Sequence, residues 1–294
     1  MKNIKKAILP VAGFGTRFLP ASKSIPKEMF PIVDKPLIHF AVEEVVSSGF
    51  KEIVFVINHF KNSIVDYFDK SSKSSNELLK KSKDFLKYLD KVSEKNIKFH
   101  FVYQKKPMGV GHAILQAEKI IKKDPFAVIF PDDLIKSKSP CIAQMMKIYH
   151  KYESSIIAVE KVNRNEVSNY GIIDYSKKTN RVFNIKSIDE KPKIRDAKSN
   201  LAVVGRFILS PSIFSYLKKT KPGHGNEIQL TDAIDSLLRE EDVYGYNFSG
   251  LRFDCGSKIG FLKATIDFAK DHPSLKKEFI KTSIIPKKKR KEPR

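Results

Sequence analysis

The stretch KAILPVAGFGTRFLPASKSIPKEMFP, residues 6–31, decides the fold and points to a ligand. Its apolar start reads as a buried strand over 6–12, and the chain leaves that strand through Gly13 and Gly15. A parallel strand that ends in a glycine turn brings backbone amides to the carboxyl edge of a sheet, where open α/β sheets bind their ligands. Arg17, Lys23 and Lys27 follow, and Pro20, Pro26 and Pro31 restrict the backbone that carries them. A pre-organised cationic loop beside glycine amides suits a di- or triphosphate. Two familiar phosphate loops do not fit. Phe18 stands where a dinucleotide-binding turn needs its third glycine, and no Gly-Lys-Ser/Thr closes the segment as in a P-loop.

Outward from this loop, IVFVI (53–57), KFHFVY (98–103) and FAVIF (126–130) read as further strands. Helical patterns over 37–49 and 111–123 alternate with them, which predicts a Rossmann-like α/β fold with a mainly parallel sheet buried on both faces. From Ser154 the texture changes to short strands with polar connections, at 155–162, 170–175, 181–188 and 202–209, so a smaller antiparallel part is expected there. Helices return at 227–241 and 258–271. No repeat or long linker separates these segments. The reading is one domain over 1–275, with parts at about 1–153, 154–250 and 251–275, an inserted surface helix within 70–96, and a basic disordered tail over 276–294.

With 294 residues, 41% of them hydrophobic, the chain can build a sizeable core. No apolar run is long enough to cross a membrane, and the N-terminus lacks a cleavage-like site, so the cytoplasm is the expected compartment. Cys141 and Cys255 stand far apart, which gives neither a zinc spacing nor a disulfide framework. The net charge of +22 raises the question of nucleic acid, but only nine of the 55 basic residues are arginine and the lysines are spread along the chain. Nucleic acid is therefore disfavoured as a partner. The PKKKRK run at 286–291 resembles a nuclear import signal, although a solvated tail has the same composition. The histidines show no metal-ligand spacing and no serine sits in a nucleophile elbow, which leaves little support for a zinc or nucleophile mechanism.

GFGTRFLP…SKSIPKEMFPIVDKPLI closely resembles the opening of the sugar-nucleotidyltransferases, in particular the bacterial UTP:glucose-1-phosphate uridylyltransferases. The resemblance continues, in order, through YQKKPMGVGHAI (103–114), FPDDLI (130–135), YGII (170–173), DEKP (189–192), NLAVVGRFIL (200–209), NEIQLTDAI (226–234) and DCGSKIGFLKA (254–264). It implies transfer of a uridylyl group from UTP to glucose 1-phosphate with Mg2+ as cofactor, in a protein that commonly forms dimers or tetramers. A thymidylyltransferase on the same scaffold is the nearest alternative.

By the same resemblance, Arg17, Lys27 and Lys191 carry the catalytic charge. Ala12, Gly13, Gly15, Gln104, Met108 and Gly109 bind the nucleotide, and Gly171, Glu190, Lys191 and Val204 bind the sugar. Asp132 and Asp254 ligate the metal, with Asp133 a weaker second to Asp132. Taken alone, these residues leave other roles open. Asp132 or Asp133 would serve as a helix cap, Asp254 as a turn residue, Gln104 as a loop residue, and Glu190 with Lys191 as a surface ion pair. Pro192 disfavours a helical Lys191 and predicts an extended backbone there. Neighbouring side chains on an extended segment point opposite ways, so only one of Asp132 and Asp133 is expected to face a substrate.

Overall fold

The KAILP run forms a strand because its small and β-branched side chains can bury on both faces at once. Ala7 and Leu9 pack into one apolar layer and Ile8 into the other, each with essentially no exposure. The computed structural model describes residues 4–68 and 96–281. The surface helix expected within 70–96 and the tail beyond 281 lie outside the described residues.

In chain order the described elements begin β1 (Lys6–Pro10), β2 (Pro31–Ile32), β3 (Lys35–Pro36), α1 (Leu37–Ser47), β4 (Glu52–Ile57), α2 (Asn62–Phe68) and β5 (Lys98–Tyr103). Next come α3 (Val110–Leu115), α4 (Glu118–Ile121), β6 (Phe126–Ile129), β7 (Asp133–Lys136), α5 (Cys141–Tyr152) and β8 (Ser155–Lys161). The chain continues through β9 (Gly171–Thr179), β10 (Val182–Glu190), β11 (Leu201–Leu209), α6 (Ile213–Lys219), α7 (Leu230–Leu237) and β12 (Val243–Asn247). It closes with β13 (Leu251–Asp254), α8 (Lys258–Asp271) and α9 (Lys276–Lys281), so the first six residues of the expected tail are helical.

Nine strands form one sheet in the order β5-β4-β1-β6-β11-β8-β12-β10-β9. β1 pairs in parallel with β4 and β6, and β4 in parallel with β5. β11 runs antiparallel to both β6 and β8, which joins the parallel half to the expected antiparallel half within one sheet. The far strands curl back, since Ile172 on β9 also pairs with Ala202 on β11. One apolar layer rests under α1, α2 and α5, and the other under α3, α4, α6 and α7.

The helical pattern over 111–123 is divided between α3 and α4. The bend at Gln116 and Ala117 lets Ala113, Ile114, Ala117 and Ile121 all reach the same apolar layer. A small ribbon, β7 with β13, stands apart from the sheet and sets Asp133 opposite Asp254. Leu134 and Phe253 anchor it in a third apolar cluster that also holds Ala264 of α8.

Candidate active site

Past β1 the loop keeps strand geometry for one more residue, as the Val11 amide donates to the Val56 carbonyl at 2.8 Å. It then folds through three short 3-10 turns, Thr16–Phe18, Ala21–Lys23 and Lys27–Met29. Gly15 is left-handed at φ 67°, and a Cβ there would lie 3.2 Å from Lys27 Cγ. A side chain at 15 would therefore strain the turn and push Lys27 aside. The Ser22 hydroxyl donates to the Gly15 carbonyl at 2.8 Å, and the Asn58 amide donates to the Ala12 carbonyl at 2.6 Å. The loop is braced on both flanks.

Beneath it, Lys61 Nζ meets Glu28 Oε2 at 2.5 Å, with side chains only 4% and 3% exposed. Beside that buried pair, Lys27 Nζ donates to Asp132 Oδ2 at 2.5 Å. Burial alone would lower the Lys27 pKa, but the Asp132 and Glu28 carboxylates outweigh it and hold the ammonium at about 12. Burial would also raise the Asp132 carboxyl, and Lys27 brings it below its ordinary value instead.

The Arg17 loop, the Asp132 turn and the Asp254 segment converge at Gly256. A Cβ there would lie 3.0 Å from Asp254 Oδ1 and 3.3 Å from both Asp132 Oδ2 and Arg17 Nη1. The Asp254 carboxyl is pushed up, first by burial and then by the charges of Asp133 and Asp132. Two hard carboxylates at one point, crowded by like charge, make a donor set that suits a divalent cation with few protein ligands. Among the described residues no cluster of three or more acidic, histidine or cysteine ligands occurs.

Asp133 is not available for that role. Its Oδ2 accepts from the Gly205 amide at 2.7 Å and its Oδ1 from Arg252 Nε at 2.6 Å. Arg252 also donates to Glu160 Oε1 at 2.6 Å and lies 5.0 Å over the Tyr170 ring. Asp133 is thus a buried brace, and the weaker metal-ligand role expected for it is replaced by a structural one. The opposite orientations of 132 and 133 agree with the expected alternation.

A second arginine, the fully buried Arg206, holds the turn from the other side. It pairs with both Glu44 oxygens and donates to the Phe130 carbonyl at 2.9 Å and the Asp133 carbonyl at 2.8 Å. Sequence reasoning passed over Arg206, Arg252 and the Glu28–Lys61 pair. Only Arg206 carried a signal, a lone charge inside the apolar strand AVVGRFIL.

Two cavities share this wall. The larger, about 530 Å3, is lined by Ala12, Gly13, Gly15, Gln104 and Gly109 together with Arg17, Lys27 and Asp132. Gln104 is buried, and its amide donates to the Gly109 carbonyl at 3.1 Å and contacts His112 Nδ1 at 2.9 Å. Gly109 has φ 92°, and a Cβ there would lie 2.7 Å from Glu227 Cβ. Met108 does not line the cavity; it packs half-buried against the apolar layer, and its carbonyl accepts from the Ile228 amide.

The smaller cavity, about 250 Å3, is lined by Gly171, Glu190, Lys191 and Asp254, and it shares Arg17 and Asp132 with the first. Thr231 donates to Glu190 Oε2 at 2.9 Å, while Lys191 Nζ sits 3.4 Å from Glu190 Oε1. The expected extended backbone at Lys191 is not found. Its φ is 48°, because β10 ends at Glu190 and the chain turns so that the Lys191 amide donates to the Tyr170 carbonyl at 3.0 Å. A left-handed lysine costs about 1–2 kcal/mol, strain of the kind that clusters at functional sites. Val204 lies along this cavity, but its side chain is fully buried in the apolar layer beneath.

Comparison with known proteins agrees with this geometry. The profile of the family described as Nucleotidyl transferase matches residues 6–271. A UTP–glucose-1-phosphate uridylyltransferase from Staphylococcus haemolyticus is 46% identical over 281 residues, covering 96% of this chain and 98% of the relative. A crystal structure of a UDP-glucose pyrophosphorylase complexed with UDP-glucose superposes with a TM-score of 0.85 at 46% identity, over 92% of this chain and 100% of that one. The UTP-bound enzyme of Acinetobacter baumannii gives 0.87 at 40% identity, over 97% and 100%. This chain belongs to the nucleotidyl transferase family, among relatives that are UTP–glucose-1-phosphate uridylyltransferases.

Proposed function

We propose that this protein joins UTP and glucose 1-phosphate to give UDP-glucose and pyrophosphate, with magnesium held by Asp132 and Asp254. The observation that carries this reading is the shared wall of the two cavities, where Arg17, Lys27 and the two carboxylates meet. Named relatives with this activity, matched over nearly the whole chain, support it.

A sugar phosphate has a second pKa near 6, so its attacking oxygen is largely ionised at neutral pH and no general base is needed. The obstacle is charge. A dianion must approach a triphosphate, and each uncompensated pair of unit charges at 4 Å costs about 4 kcal/mol at an effective dielectric of 20. Arg17 and Lys27 offset the triphosphate, and Lys191 offsets the sugar phosphate while Glu190 accepts from sugar hydroxyls. The glycine amides of 13 and 15 and the Gln104 amide orient the nucleotide so that its α-phosphorus faces the smaller cavity. Bound magnesium supplies further charge neutralisation at the phosphate oxygens.

Buried free thiols at Cys141 and Cys255 fit a reducing cytoplasm. Among the described residues no helix is long and apolar enough to cross a membrane.

The test is pyrophosphate release from UTP, dTTP and ATP with several sugar 1-phosphates, with and without magnesium. UTP with glucose 1-phosphate and magnesium is expected to be the preferred combination. Preference for dTTP would move the protein to the thymidylyl reading, and turnover unaffected by chelator would remove the metal from it.

A further inference from the structure

The segment from Asn226 to Leu230 connects the two cavities, and its side chains alternate. Glu227 and Gln229 have extended backbones, at φ −115°, ψ 149° and φ −84°, ψ 141°. Ile228 between them turns into the apolar layer. By the two-residue period of extended chain, Glu227 and Gln229 face the other way, toward the clefts. Glu227 lines the nucleotide cavity and Gln229 the sugar cavity.

Glu227 is held closely in place. Its carbonyl accepts from the Gly223 amide at 2.8 Å, and the next residue exchanges hydrogen bonds with the Gly109 loop, Ile228 to Met108 and Gly111 to Ile228, both at 2.9 Å. Gly109 has no side chain at the point where Glu227 Cβ approaches it. The Gln229 amide lies 3.3 Å from Glu227 Oε2.

Three carboxylates line this cavity: Glu28, Asp132 and Glu227. Glu28 is paired with Lys61 and Asp132 with Lys27, whereas Glu227 forms no ion pair among the described residues. A nucleotide that displaces water from the exposed Glu227 carboxylate must offer hydroxyl donors in its place. Glu227 lines the cavity against Gly109, whose carbonyl accepts from the base-facing Gln104. The part of a nucleotide bonded directly to its base is the sugar ring.

We propose that Glu227 reads the ribose: its carboxylate accepts hydrogen bonds from the vicinal hydroxyls, so that a ribonucleotide is selected over its 2′-deoxy counterpart. A carboxylate accepts readily from such a diol, and hydrogen bonds to a charged group are stronger than neutral ones. The inference rests on the nucleotidyl-transfer reading above.

The experiment compares UTP with dUTP, which differ only at the 2′ position, in the parent and in Glu227→Ala. Steady-state pyrophosphate release gives kcat/KM, and calorimetry gives the affinity of each nucleotide. The parent is expected to favour UTP by about tenfold or more, and Glu227→Ala to bring UTP down to the dUTP level. Glu227→Gln, which keeps one acceptor oxygen, retains part of the preference. A parent that handles both nucleotides alike, or a Glu227→Ala variant that keeps the parent's ratio or loses both nucleotides equally, overturns the proposal. Should UTP release no pyrophosphate at all, the transfer reading has failed instead, and the ribose contact is still judged by the two calorimetric affinities.

Discussion

Lys27 and Lys61 flank the same short turn and each contacts a carboxylate at 2.5 Å, yet their loss should have opposite consequences. Lys27 and Asp132 remain 20% and 29% exposed, so solvent can take over when Lys27 is removed. Lys27→Ala should therefore cost about 1 kcal/mol of stability or less. Its effect on turnover is far larger, because a triphosphate then loses one compensating charge. At 4 Å and an effective dielectric of 20 that is about 4 kcal/mol, or roughly a thousandfold in rate.

Lys61 presents the reverse case. Its partner Glu28 is 3% exposed, and Lys61→Ala leaves that carboxylate charged and unpaired inside the protein. Breaking such a pair costs about 3–5 kcal/mol, enough to lower Tm by roughly 10 °C. Pairing Lys61→Met with Glu28→Leu should recover much of that loss, since no charge is left stranded. Thermal melts and pyrophosphate release on the same preparations separate the two effects. The reasoning fails if Lys27→Ala keeps turnover within about tenfold of the parent, or if Lys61→Ala melts with it.

The two neighbouring acidic positions should divide in the same way. Asp254→Ala relieves a crowd of like charges, so it should melt within a few degrees of the parent and lose its response to magnesium. Asp133→Ala strands the Gly205 amide and leaves the Arg252 guanidinium with Glu160 as its one carboxylate, and should cost about 3 kcal/mol by denaturant titration; equal stability of the two variants would contradict these roles. The Glu43 carboxyl supplies a pH dependence. Burial would raise it, but His39 and Lys35 hold it below its ordinary 4.5. Its stabilisation is therefore fully present above pH 4.5 and is lost as pH falls through the lower folded value. Glu43→Gln should lack that part of the acid limb, and parallel melting curves for variant and parent between about pH 7 and 3 would count against it.

Much of the site was legible because its chemistry is local. Gly15 is needed where the backbone turns left-handed and Lys27 packs close, a constraint carried within thirteen positions. Strand β1 and helix α8 follow from apolar spacing alone, and α8 spans the expected 258–271. Where reading failed, a distant partner was responsible. Lys191 is left-handed and not extended because its amide is drawn to Tyr170. The helix expected over 111–123 breaks so that one apolar layer can collect both halves. Met108 lies next to Gly109, but tertiary packing turns its side chain into the apolar layer and away from the cavity.

The sequence by itself determined the alternation of strands and helices, the glycine- and proline-restrained loop after β1 and the identity of its cations, because periodicity, glycine turns and proline restraint act between near neighbours. Only the tertiary structure decided how the adjacent acids divide their work. Asp132 turns to the cavity and Asp133 to Arg252, a partner 119 positions away brought opposite by the β7–β13 ribbon. A carboxylate's role depends on which cations and donors surround it in space, and that arrangement exists only once distant segments have packed.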